Sequence, residues 1–284
     1  MSAETDKSAT ITFIKPSGSW LSLDLKDLLT YRELLYFLTW RDVKVRYKQT
    51  AIGVLWAILQ PVLTTVLFTV IFSTVARFES QNVPYPLFAL SGFMIWLFVF
   101  NSITFASNSL VGNANLVTKI YFPRLIVPVS ATLAGLIDML FSFAVLIVLM
   151  IYYIVRQNAF ALSWQILFAP VFIFLAIVLA VSLGTLFSAL NVRFRDVKFA
   201  LPFGLQVWML ASPIFYPPEI LSEKARFILA FNPLTGILQG FRAALFADKF
   251  DWLTIGISSA MIAFLMLASL FVFKRMEDDF ADLI

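Results

Sequence analysis

Asp138 is the only acidic residue well inside an apolar stretch of this chain. A carboxylate at the centre of a bilayer costs at least ~2.5 kcal/mol on insertion scales. It must therefore face the interior of a helix bundle or water. Two readings stay open: a polar contact along a conduction path or subunit seam, or a protonated, hydrogen-bonded structural acid. Aromatic residues form a second group: Trp56, Phe68, Phe72, Phe93, Trp96, Phe100, Trp208, Phe215 and Tyr216. Phe68 and Phe72 share a helix face, as do Phe93, Trp96 and Phe100. Aromatic faces stack on the C–H faces of sugars and on acyl chains, so as a pore lining they suit a glycan or a lipid. The alternative is that Phe faces lipid while Trp and Tyr sit in the interfacial belts. A third group lies in two short polar segments. One holds Asn113, Asn115, Lys119, Tyr121, Pro123 and Arg124; the other holds Arg193, Arg195 and Asp196. Each is either a topological anchor or a docking surface for a cytoplasmic partner.

Other chemistries are missing. The chain has no His and no Cys, which removes the commonest general base, thiol catalysis and the usual metal ligands. No G-x-x-x-x-G-K-[ST] phosphate loop occurs among the 10 Gly, so any nucleotide must be bound by another subunit. There is no acidic cluster of the kind that ion-coupled pumps carry, and no Ser, Lys and carboxylate grouping that reads as a catalytic site. Basic residues flank apolar stretches, which argues against nucleic acid as a partner.

The elements that hold these residues follow from composition. Of 284 residues, 61% are apolar and 13% charged, with a mean hydropathy of +0.89. A soluble globule of this length cannot hide that much apolar surface. Six stretches are long enough to be read as transmembrane helices: Val54–Ala76, Pro86–Ala106, Leu125–Val155, Trp164–Leu190, Phe199–Tyr216 and Trp252–Phe273. The fifth is short, with Pro202 and Pro213 near its ends. No apolar stretch opens the chain, so no cleaved signal peptide is expected. With both termini inside, the two short inner loops hold Lys119 and Arg124, then Arg193, Arg195 and Lys198. Outer loops of similar length carry only Arg77 and Arg156. This satisfies the positive-inside rule.

Residues 1–30 read as a polar cytoplasmic segment, with a short strand at Thr10–Lys15. In residues 31–48, Tyr31, Leu34, Leu35, Leu38 and Val45 recur at helical period. That predicts an amphipathic helix in the inner interface; the alternative is a helix packed on its own protein. Residues 217–251 hold two apolar runs, Phe227–Phe231 and Leu234–Phe246, broken at Asn232-Pro233. Neither can cross a ~30 Å core, so the segment predicts a re-entrant helical hairpin on the outer side. Gly236 and Gly240 would let helices approach closely. The fold class is thus an all-α integral membrane protein: a six-span domain over 54–273, preceded by the interfacial helix and followed by a cytoplasmic tail over 274–284.

Four segments resemble the permease of ABC-2-type polysaccharide exporters, the group that handles O-antigen, capsule and teichoic acid. They are WRDVKVRYKQTAIGVLWAILQP (Trp40–Pro61), KIYFPRLIVPV (Lys119–Val129), NVRFRDV (Asn191–Val197), and SPIFYPPEI with FNPLTGILQGFR (Ser212–Ile220, Phe231–Arg242). Their order and spacing are the specific signal. The resemblance implies a homodimer in the bacterial cytoplasmic (inner) membrane with two copies of a separate ATPase. ATP and Mg would be bound by that ATPase, and this chain would hold no cofactor. It implies ATPase coupling through the first helix, with Arg41 and Arg46, and through a short helix within Asn113–Pro123. It also implies a channel at the dimer seam with aromatic lining, closed outside by the re-entrant segment. There Pro217, Pro218, Asn232, Pro233 and Arg242 are the expected gate residues. The expected cargo is a lipid-linked, O-antigen-like polysaccharide. Teichoic acid, capsule, or a hydrophobic drug or lipid are the alternatives, and a membrane glycosyltransferase is a more distant one.

Overall fold

A computed structural model describes residues 30–48, 53–75, 83–157 and 163–283. All regular structure among them is helical. The expected Thr10–Lys15 strand lies outside the described residues.

Helix α1 (Arg32–Lys48) precedes α2 (Gly53–Thr69), which continues as a π-helical turn over Val70–Val75. Next come α3 (Tyr85–Gly112), the short α4 (Ala114–Lys119), α5 (Ile126–Ala134) and α6 (Leu136–Gln157). A 3-10 turn at Trp164–Phe168 leads into α7 (Ala169–Arg193). Then follow α8 (Val197–Leu210), α9 (Glu223–Ala230), α10 (Pro233–Phe246), α11 (Trp252–Glu277) and α12 (Phe280–Leu283).

Five helical stretches are long and apolar enough to cross a membrane: Leu55–Phe72, Tyr85–Gly112, Ile126–Arg156, Trp164–Arg193 and Trp252–Glu277. These are the first four and the last of the predicted spans. The fifth prediction, Phe199–Tyr216, is only partly realised. Helix α8 stops at Leu210, and at ~1.5 Å per residue its 14 residues reach about 21 Å, short of a ~30 Å core. Pro213 and Pro217 lack the N–H donors that continued helix would need. Apolar composition alone could not show that.

The third prediction is one span in two pieces. Helix α5 closes at Gly135 and α6 starts at once. A methyl on Gly135 would lie 2.7 Å from Ser102 Oγ and 3.2 Å from Thr132 O. The glycine therefore lets this span approach α3. Helix α3 is the centre of the bundle, with 78% of its span window buried against 11–33% for the other four. Small residues allow that burial. Gly184 of α7 lies where a methyl would sit 2.7 Å from Ala106 Cβ.

The ends of the bundle differ. At one end Leu38, Leu110, Val117, Phe122, Ile126, Val192 and Phe273 share a core cluster. It unites α1, the Asn113–Leu125 segment, and the C-terminal ends of α3, α7 and α11. The basic residues Lys119, Arg124, Arg193, Lys274 and Arg275 belong to these same segments, and Arg195 and Lys198 follow α7 directly, so this is the basic end. At the far end, α10 packs against α3, α7 and α11. Asn232 caps α10, accepting a bond from Leu234 N, and Ala247 stops it in the left-handed conformation (φ 59°).

Helix α1, with Tyr31 just before it, carries four of the five predicted stripe residues on one side. Tyr31, Leu34, Leu35 and Leu38 pack on the basic-end core. Val45 is 70% exposed, as are Tyr36 (70%) and Phe37 (64%). The helix is apolar on more than one side, and its stripe rests on its own protein, chiefly α5.

Candidate functional site

Asp138 lies in the first turn of α6, and its partners come from α1. Arg46 Nη1 donates to Asp138 Oδ2 and forms an ion pair with it, while Tyr47 Oη donates to Asp138 Oδ1. Both carboxylate oxygens are thus engaged by the last turn of a helix some ninety residues earlier in the chain. The ring contacts reinforce the joint: the Arg46 guanidinium lies 4.2 Å from the centroid of Phe105. Tyr47 meets Phe141 edge-on at 6.0 Å. Burial, then the neighbouring Asp138, push the Tyr47 phenol well above its ordinary range, so it stays protonated and remains a donor. The intramembrane acid and the first-helix arginine, separate in the sequence reading, are one unit.

That unit closes one side of a cavity of about 350 Å³. Its walls include Trp56, Gln60 and Pro61 of α2, Phe98, Asn101 and Phe105 of α3, and Ser142 of α6. Of the aromatics named from sequence, only Trp56 lines it. Tyr47, Gln60 and Asn101 went unassigned. An amide inside an apolar span costs free energy unless bonded, and that was the available signal for Gln60 and Asn101.

The other predicted pore aromatics gather elsewhere, inside the protomer. Phe68 stacks on Phe215 at 4.0 Å and tilts against Phe93 at 5.1 Å. Phe72 stacks on Tyr85 at 5.9 Å, and Trp96 meets both Phe100 and Trp208 at 5.8 Å. Phe93, Trp96 and Phe215 are fully buried. Phe68, Phe72, Phe100 and Trp208 are packed against the same core; Tyr216 is half-buried and Trp56 exposed.

At the basic end, the expected short helix within Asn113–Pro123 is α4. Val117 and Phe122 anchor it in the core, leaving Asn115, Lys119 and Tyr121 exposed. Asn113 bonds back to Ser109 O at 2.7 Å, and Pro123 is half-buried. Arg124 is not free: its Nη1 donates to the Glu277 carbonyl at the end of α11, where a cation suits the helix C-terminus. Arg41 is held by its neighbour Asp42 through Nε and Nη2, at 3.0 and 2.8 Å. Arg193, Arg195 and Asp196 are all exposed, with no ion pair among them in the described residues.

At the far end Arg242 is buried and answered by main chain. It donates to Pro213 O and Ile214 O at 2.8 Å, to Phe88 O at 3.1 Å and to Ser91 Oγ at 3.4 Å. Its guanidinium also lies 3.5 Å from the Phe88 ring centroid. No carboxylate pairs with it among the described residues. Gly92 makes the room, since a methyl there would press on Arg242 and lie 2.9 Å from Ile214 O. Asn232 ties the same region together, accepting from Trp208 Nε1 at 3.0 Å and donating to Ser212 Oγ at 2.8 Å. Pro218 is buried, and Pro217 and Pro233 are half-buried. Gly236 N donates to Ser258 Oγ at 3.0 Å, and a methyl on Gly240 would enter the Phe172 ring. Both glycines serve packing. Among the described residues no three acidic side chains lie close enough to hold a metal ion.

Comparison with known proteins fits this arrangement. The ABC-2 type transporter family model matches residues 33–246. An O-antigen export system permease protein from Klebsiella pneumoniae is 28% identical over 265 residues, covering 93% of this chain and 100% of its own. One from Myxococcus xanthus is 27% identical, covering 91% of this chain and 98% of its own. A polysialic acid transport protein from Escherichia coli is 26% identical, covering 82% of this chain and 87% of its own.

Proposed function

This chain belongs to the ABC-2 type transporter family, and from that premise we propose that it is the permease of an ATP-driven exporter of a lipid-linked polysaccharide. The observation that carries the reading is the near end-to-end similarity to two O-antigen export permeases. The chain itself does no covalent chemistry. A separate ATPase binds ATP and Mg, and it docks on the basic end, which is cytoplasmic. The exposed Asn115, Lys119 and Tyr121 of the α4 segment and the free face of α1 support that placement.

Two copies of the chain form the conduit. Helix α2 supports this, because only 11% of its span window is covered within the protomer, and Leu63, Val66, Leu67 and Val70 stand exposed along it. Helix α8 with the irregular Ala211–Pro217 stretch completes a sixth crossing, and α9–α10 dip in from outside. Backbone of that kind is tolerated at membrane depth only inside protein or beside water. The buried α10 meets that condition. Within each copy the Arg46–Asp138–Tyr47 joint carries a push on α1 into α6, a rigid-body route from ATPase closure to the spans.

Deleting the gene tests the reading. The expected result is loss of surface glycan with lipid-linked polymer building up inside the cell, restored by the intact gene. An unchanged surface glycan contradicts it. Loss of polymer both inside and outside would move the assignment to glycan synthesis.

A further inference from the structure

The cavity behind the Arg46–Asp138 joint has a lining that selects among ligand chemistries. Its charged groups are one cation and one anion, already paired. Gln60 and Asn101 also line it, and neither side-chain amide has a hydrogen-bond partner among the described residues. Each amide offers both a donor and an acceptor. Trp56 and Phe105 supply aromatic faces, and about 350 Å³ lies at the small end of ligand pockets, which run ~300–1,000 Å³.

An apolar guest would leave both amides unsatisfied, and buried amides without partners are costly. A phosphate would meet Asp138 as well as Arg46, and the arginine is already taken. A neutral polyhydroxylated ring satisfies all of these groups at once: its hydroxyls bond to the amides and its C–H faces stack on the indole. We infer that this cavity is a subsite for neutral sugar units of the cargo, held between α2, α3 and α6 of one protomer, and that it does not hold the phosphate end of the lipid carrier. This deepens the proposed function and rests on it.

The chain has no cysteine, so a single introduced thiol reports one place. Asn101→Cys and Gln60→Cys are made separately, each in the complete transporter with a hydrolysis-dead ATPase to hold cargo. Maleimide labelling rates are compared in membranes from three strains: one making no glycan, one stopping at the carrier with its first sugar phosphate, and one making full polymer. The inference predicts at least a several-fold slower labelling at both positions in the full-polymer strain alone. Equal labelling in all three strains overturns it. Protection already complete in the strain that stops at the first sugar phosphate also overturns it, because the site then recognises the phosphate end of the carrier and not the chain of sugar units. If one variant fails to reach the membrane, Ser142→Cys on the α6 wall replaces it with the same expectation. Glycan that reaches the surface without this gene would sink the functional reading. Glycan that needs the gene, with unprotected thiols, would sink only the subsite.

Discussion

Arg242 is buried and Asp138 half-buried, and the two charges are accommodated in opposite ways. Arg242 at the far end is surrounded by carbonyl oxygens of Phe88, Pro213 and Ile214. Asp138, nearer the basic end, is answered by two side chains from another helix. Main-chain acceptors belong to the packed fold and cannot leave without unfolding it. A side-chain partner on α1 can move with α1. The far end is therefore built as a fixed frame, and the Asp138 site as a joint between separable parts. Both solutions satisfy a charge in a low-dielectric setting, yet only the second offers a mechanical connection.

Five substitutions separate frame from joint. Arg242→Met strands the Pro213 and Ile214 carbonyls, while Phe88 O keeps the Ser91 hydroxyl as a donor; each stranded carbonyl costs about 1–3 kcal/mol when buried without a donor. It should reduce stability by at least ~2 kcal/mol, seen as low yield and a large drop in thermal unfolding temperature in detergent. Arg242→Lys should fail almost as badly, because a single ammonium cannot replace the planar fork. Gly92→Ala comes next. Its methyl invades the Arg242 site, so about 1–3 kcal/mol of overpacking is expected, with the loss largely absent when Arg242 is already Met. A double-mutant cycle on unfolding temperature measures that coupling.

Asp138→Asn keeps shape but removes the charge facing Arg46. A fully buried broken pair costs ~3–5 kcal/mol. Water reaches both of these side chains, which are 21% exposed, so about 1–2 kcal/mol is expected. Export should fall much further than protein level in the membrane, which immunoblotting against surface glycan resolves. Tyr47→Phe has the smallest effect. It removes one hydrogen bond, about 1 kcal/mol, and leaves the Arg46 pair, so export should be only mildly reduced.

Much of this architecture was legible from residues alone. Five of the six spans follow from runs of apolar residues, and the α9–α10 break follows from Asn232-Pro233, where proline opens α10. The short helix at Ala114–Lys119 also fell inside the segment expected to hold it. Three features were not legible, each for a physical reason. Hydropathy cannot distinguish continued helix from an apolar irregular stretch, so the end of α8 at Leu210 within Phe199–Tyr216 was not legible. Helix α1 is apolar on several sides, so periodicity placed Val45 with Leu38 although only Leu38 is buried. The partners of Asp138 and Arg242 come from distant parts of the chain, and local spacing carries no record of them. The aromatics show the same limit: their abundance was plain, but stacking among Phe68, Phe93 and Phe215 is a tertiary fact.

The Arg46–Asp138 pair joins α1 to the span that begins at α5. The direct measurement is surface glycan in a deletion strain carrying Arg46→Asp, Asp138→Arg, or both, with membrane levels of each protein recorded. Each single reversal should abolish export, since it sets two like charges together, and the double reversal should recover a substantial fraction. Singles that export normally would contradict a working joint, and so would a double variant that reaches the membrane at the level of the unaltered protein yet exports no more than either single.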